Sequence, residues 1–315
     1  MAKKRDWKKY EKELGERKQK IVDFLLSRPT AEELLKELEK LNRGKKGRKF
    51  QLPKSVLLLF HFLKNTFRID DRMLAKFLSN FLNAILPRQS PFDHSTIVKR
   101  RGELDLEIPS GITPEKLAGK TLYFDGVCLR LGRGGYYRSK RYKTEAKYLR
   151  VGVFTGDNGE VLDFTIGDEH DAEINMVRGK MPLIKKSGAK ATVIDGAGSA
   201  IDVVCDLTKV GIKPIIRASE KVVESKRNAP PLEQCIRKKK DDELIWERYA
   251  KEQGDYQKWR KETGYSMRWV YSEGRFSAFK RMYGEEVFCR KQKAIHDEIC
   301  AKFMLLDGNL PQLWI

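Results

Sequence analysis

The hydrophobic period of this chain changes near Pro114, and that change constrains its fold more than any other feature. From Pro53 to about Pro87 the apolar residues fall at helical spacing: Val56, Leu57, Phe60 and Leu63, then Met73, Leu74, Phe77, Leu78, Phe81, Leu82 and Ile85. Asp70 and Asp71 precede the second block, where carboxylates favour a helix start. A short third helix begins at Ser95 and ends in Lys99, Arg100 and Arg101. Three short helices with a basic last one resemble a helix-turn-helix, a weak signal that helical bundles share. Beyond Pro114 come β-rich runs at 121–131, 148–156 and 160–167, split by turns such as Asp157-Asn158-Gly159. A helix over 171–186, a strand over 191–197, a helix over 199–210 and a strand over 213–219 follow. A meander continued by strand–helix–strand alternation closes naturally as a mixed sheet with helices on its faces.

The expected fold class is therefore α/β, preceded by an all-α N-terminal domain over 1–115. The sheet occupies 116–219, a densely charged helical insertion 220–264, and two helices 265–315. With 40% hydrophobic and 34% charged residues, the chain has the means to build a core, so disorder throughout is excluded. The longest apolar stretch, Val56 to Leu63, is interrupted by His61 and is far short of the about 20 residues that cross a bilayer. The N-terminus is charged where a secretory leader needs an apolar segment, so an intracellular protein without membrane partners is expected. Cys128, Cys205, Cys235, Cys289 and Cys300 are scattered, which argues against a zinc site or a disulfide framework.

Charge narrows the class of partner. Lys and Arg total 64 against 44 Asp and Glu, a formal +20. An excess of that size points to a polyanion, most commonly nucleic acid. The segment 130–143 concentrates it: Arg130, Arg133, Arg138, Lys140, Arg141 and Lys143 alternate with Tyr136, Tyr137 and Tyr142, with no acid. Cations there suit phosphates and aromatics suit unpaired bases, against the plainer reading of a solvated hairpin. Arg138, Lys140 and Arg141 are the candidate DNA contacts in that loop.

Two carboxylates sit where a merely structural role is hard to justify. Asp125 lies inside an apolar strand and Asp195 ends another, and an ionised group there is costly unless paired or metal-bound. If the two strands are neighbours, the carboxylates emerge side by side. Glu273, on a later helix, completes a set that only tertiary folding can join, since the three are 70 and 78 residues apart. Hard oxygen ligands of this kind suit magnesium. Lys280 follows Glu273 by seven residues, about 700° of helix, so the two share a face of an α-helix. Each acid taken alone reads as a strand-end cap or a surface ion pair.

The pieces LYFDG, VIDG and EGRFSAFKR, in this order, resemble the DDE transposases of prokaryotic insertion sequences. So do the block from Tyr136 to Glu173, with its His170-Asp171 step, and GIKPIIRAS at 211–219. One branch of that family carries a Tyr-x2-Arg-x3-Glu-x6-Lys motif. This chain has Tyr265, Arg268, Glu273 and Lys280, with four residues rather than three between Arg268 and Glu273. The resemblance covers roughly 120–290 and implies a ribonuclease H-like core that cleaves and rejoins DNA at the ends of a mobile element. It implies two Mg2+ or Mn2+ ions on Asp125, Asp195 and Glu273, with Tyr265, Arg268 and Lys280 toward DNA. It further implies double-stranded DNA as partner, both element ends and target, a homodimer on that DNA, and a cytoplasmic, nucleoid-associated place in a prokaryote. A nuclease of the same fold and an inactive DNA-binding descendant stay open as alternatives.

Other motifs carry less. PEKLAGKT at 114–121 ends like a phosphate-binding loop, but Pro114 stands at its first Gly position and a strand follows. The set Asp168, Glu169, His170 and Asp171 reads as a cap for the helix that follows it.

Overall fold

The computed structural model describes residues 7–86, 91–109, 111–131, 148–168, 170–196, 199–218, 223, 241–289, 291–311 and 313. The chain divides into two compact units, Met1–Pro109 with Met282–Ile315, and Ser110–Arg281. No helix among the described residues is long and apolar enough to cross a membrane.

The first unit holds α1 (Trp7–Leu26), α2 (Ala31–Asn42), α3 (Lys54–Phe67), α4 (Asp71–Ile85) and α5 (His94–Arg101). Local chemistry sets their starts. Thr30 and Glu33 form a reciprocal capping box on α2, and Asp70 accepts the Arg72 and Met73 N–H groups at the head of α4. Only part of the expected apolar stripe of α4 is buried: Leu74, Leu78 and Leu82 are inside, while Met73 and Phe77 are about half exposed. The C-terminal helix of the chain (Gln292–Asp307) belongs to this unit and packs on α3. It is buried along most of its length, through Ile299, Cys300, Phe303 and Leu305.

The second unit is a mixed α/β assembly. After a short α6 (Pro114–Leu117), three strands form an antiparallel meander: β1 (Thr121–Leu131), β2 (Tyr148–Thr155) and β3 (Val161–Asp168). Then come α7 (Glu173–Lys186), β4 (Ala191–Ile194), α8 (Ile201–Lys209) and β5 (Lys213–Ile216). The strand order is β3-β2-β1-β4-β5, with β4 parallel to both β1 and β5.

Alternation along the strands divides the core in two. Leu122, Phe124, Ile194 and Ile216 pack with Met176 and Val177 of α7 and Val203 and Val204 of α8. The residues between them, Tyr123, Val193 and Ile215, pack with Trp259 and Tyr265. The sheet is thus covered by different elements on its two faces, which is how a parallel segment avoids exposed apolar surface.

The stretch 220–264 departs from its reading as a polar insertion. Its described part forms α9 (Asp241–Glu252) and α10 (Tyr256–Thr263), and Trp246, Tyr249, Ala250 and Trp259 are all buried. Tyr249 seals the edge of β5: its hydroxyl receives the Ile216 N–H at 2.6 Å and donates to the Ile216 carbonyl. Gln253 adds a bond to the same carbonyl at 3.0 Å and accepts the Ala218 N–H at 2.9 Å. Charge dominates the composition of these helices, yet their buried faces are largely aromatic, with Glu247 the buried acid among them.

Candidate active site

Register brings the first two carboxylates together. Phe124 of β1 lies opposite Ile194 of β4, so Asp125 and Asp195 are the next pair along two parallel neighbours. By alternation they follow Tyr123 and Val193, on the face that Tyr265 covers. Asp125 is buried, 8% exposed, whereas the Asp195 side chain, just past the strand, is 42% exposed.

The third carboxylate arrives through an unusual turn. Residues Tyr265–Met267 form one turn of 3-10 helix, Trp269–Glu273 form a π-helical turn, and α11 (Gly274–Tyr283) follows. In an α-helix, five residues rotate by about 500°, leaving Arg268 and Glu273 roughly 140° apart. The wider i→i+5 turn returns Glu273 to the face of Arg268, and the Arg268 Nη2 stands 3.1 Å from Glu273 Oε1. Tyr271 holds the turn against the sheet, its ring 4.9 Å from that of Tyr123.

Arg268 is the hub. It is 7% exposed, and its guanidinium also lies 3.7 Å from Asp125 Oδ2 and 3.5 Å from Asp195 Oδ1. The Tyr265 hydroxyl donates to Asp195 Oδ1 at 3.1 Å, and the backbone N–H groups of Gly126 and Gly196 bond to the carboxylates that precede them. One guanidinium thus faces three carboxylates. The imbalance appears in Asp125, whose pKa is pushed up to about 7: burial is the main cause, Glu273 and Glu173 add to it, and Arg268 and the Gly126 N–H oppose it.

Glu173 is the residue that sequence reasoning passed over. At the first position of α7 it looks like an ordinary acid complementing a helix N-terminus. In the fold its carboxyl rests against the strand beside Asp125: a Cβ added at Gly126 would lie 2.4 Å from Glu173 Oε1. Only glycine at 126 leaves room for it. Burial raises the Glu173 pKa, Asp195 adds to the rise, and Arg150 and Arg268 oppose it. The Asp125-Gly126 step was the available signal, because a glycine inside an apolar strand marks a close approach.

Tyr265 and Arg268, expected to face DNA, are turned to the carboxylates: the Tyr265 hydroxyl and the two Arg268 Nη groups face them. Lys280 lies on α11, half-buried. Arg138, Lys140 and Arg141 fall outside the described residues. The set around His170 does not cap α7, whose N-cap is Ala172 without a side-chain bond. Asp168 instead accepts the His170 and Asp171 N–H groups while Asp171 accepts the Asp168 N–H, closing the end of β3 on itself.

The donor set is all oxygen, the kind magnesium and manganese take. Among the described residues, no three His, Cys, Asp or Glu side chains stand close enough to grip an ion as they are. The positive charge at the centre of the site is that of Arg268. No protein-family model matches the sequence, and no curated protein is significantly similar to it.

Proposed function

We propose that this protein is a transposase with a ribonuclease H-like core, acting on the ends of its own DNA element. One observation carries the reading: Asp125, Asp195 and Glu273, from β1, the end of β4 and the turn before α11, converge on a single guanidinium. The π turn adds support. The resemblance to the Tyr-Arg-Glu-Lys motif has one residue too many between Arg268 and Glu273, and the turn absorbs that residue.

In this reading Asp125, Asp195 and Glu273 hold divalent cations. When bound, two ions of the Mg2+ or Mn2+ kind supply Lewis acidity for in-line attack on phosphodiesters by water and then by a freed 3′-hydroxyl. The chain's own part is electrostatic. Its carboxylates outnumber the local cations, and Asp125 gives up its proton as the pH rises past about 7. Arg268 holds the carboxylates near one another, and Tyr265 fixes the orientation of Asp195. Lys280 then serves the DNA phosphate.

The test is a strand-cleavage and strand-transfer assay on oligonucleotides carrying the element ends, with Mg2+ or Mn2+. Asp125→Asn, Asp195→Asn and Glu273→Gln should each lower cleavage by roughly a thousandfold or more while DNA binding persists, because each keeps shape and removes a ligand charge. Cleavage without joining would make the protein a nuclease. Tight DNA binding without metal-dependent cleavage would make it an inactive descendant.

A further inference from the structure

The helical unit carries a basic pocket formed by two segments about 50 residues apart in sequence. The loop after α2 supplies Lys45, Arg48, Lys49 and Phe50, and the end of α5 supplies Arg100, around a pocket of about 400 Å³. Asp93 is the one acid in its lining, and it is already engaged as the N-cap of α5. Among the described residues none of Lys45, Arg48 and Lys49 has an acidic partner, although 44 acids are available in the chain.

The loop is built to hold these cations together. Asn42 clamps its two ends, donating to the Leu38 and Phe50 carbonyls at 2.8 and 2.9 Å and accepting the Phe50 N–H at 2.6 Å. Gly44 and Gly47 take positive φ values of 73° and 93° to turn the chain between them. Phe50 then carries two cations over one ring, Lys45 Nζ at 3.1 Å and the Arg100 guanidinium at 3.9 Å from its centroid. Gathering like charges opposes their repulsion, and the negative face of the ring offsets part of that cost. Arg100 is further aimed by Glu103 and by a 3.5 Å contact to the Leu52 carbonyl. A solvated basic loop needs no such clamp.

We propose that this pocket seats the sugar–phosphate backbone of duplex DNA. The ring of Phe50 is occupied by cations and so is not a platform for unpaired bases, which favours phosphate contacts over single-strand stacking. The choice of partner rests on the reading of the protein as a DNA-processing enzyme; the site itself lies away from the carboxylates in sequence and belongs to the other unit.

The experiment is fluorescence anisotropy of the full chain with a labelled duplex, titrated over salt. Lys45, Arg48 and Lys49 are changed together to Gln, and Arg100→Gln is tested separately. A control of equal charge change alters Lys12, Lys36 and Lys40, exposed on α1 and α2. The pocket triple should weaken binding at least about tenfold and reduce the slope of log affinity against log salt by about 0.9 per lost phosphate contact, roughly 2–3 in all. Arg100→Gln should reduce the slope by about 0.9, and the control should leave both quantities unchanged. Parental affinity and slope in the pocket triple would overturn the site while leaving the enzyme reading intact. A parent chain that binds no duplex would overturn the enzyme reading and the partner with it. Equal or greater losses with single-stranded RNA or heparin would overturn duplex DNA as the occupant.

Discussion

In the helical unit Glu298 and Lys302 are as deeply buried as Asp125 is in the sheet unit, yet the two carboxyls titrate in opposite directions. Burial alone pushes Glu298 up, but the Lys302 ammonium at 2.7 Å and the Phe288 and Cys289 N–H groups outweigh it, and its pKa ends low. Lys302 in turn donates to the Glu286 carbonyl at 3.0 Å. Asp71 in the same unit is met by both Lys64 and Arg101, and its pKa also ends low. Asp125 is pushed the other way because burial dominates there, and the single guanidinium that opposes it is shared among three carboxylates. Glu298 and Asp71 in the helical unit thus each have a cation within 2.7 Å. In the sheet unit three carboxylates face one guanidinium, the excess that the proposed metal binding would neutralise.

The comparison breaks first at Lys302. Lys302→Ala leaves Glu298 buried without its cation and should cost about 3–5 kcal/mol in denaturant unfolding of the helical unit. Changing Glu298→Gln and Lys302→Met together should restore most of that, since the Phe288 and Cys289 N–H groups keep an acceptor. A loss under about 1 kcal/mol for the single change would mean the pair is not held as tightly as its geometry implies.

A sharper probe is Glu173. If it shares the cation-deficient site, Glu173→Gln should lower Mn2+ affinity about ten- to a hundredfold by calorimetry, comparable with loss of an outer partner of a metal. The exposed Glu115→Gln is the control, and equal affinities in both variants would remove Glu173 from the site.

The last effect is on stability with metal removed by chelator. The folded pKa of Asp125 is raised from 3.8 to about 7, so ionising it in the fold costs stability that is lost as pH rises from about 4 to about 7. Asp125→Asn removes that cost. Its melting temperature should exceed the parent's at pH 8, and by less at pH 5, where Asp125 is still protonated in the fold. Equal shifts at both pH values would show that Arg268 already balances Asp125.

The strand–helix order, the helix starts at Asp70 and Asp71, and the special standing of Asp125 and Asp195 were legible in the sequence, because period and local capping are properties of neighbouring residues. The charged stretch over 241–263 was not. Its composition hides Trp246, Tyr249 and Trp259, whose burial depends on a sheet edge and face formed far away in the chain. Glu173 was missed for the same reason, since a glutamate at a helix start has a sufficient local explanation until Gly126 is seen beside it.

The sequence by itself determined the elements, the cationic excess and which carboxylates were costly where they stood. Only the tertiary structure decided that Asp125 and Asp195 are adjacent, through the parallel register of β1 and β4, and that a π turn returns Glu273 to Arg268 despite the extra residue. It also decided that Lys45 and Arg100 meet over one aromatic ring. Spacing along a chain fixes which face a side chain takes within one element, whereas contacts between elements depend on register and packing, which no local pattern encodes.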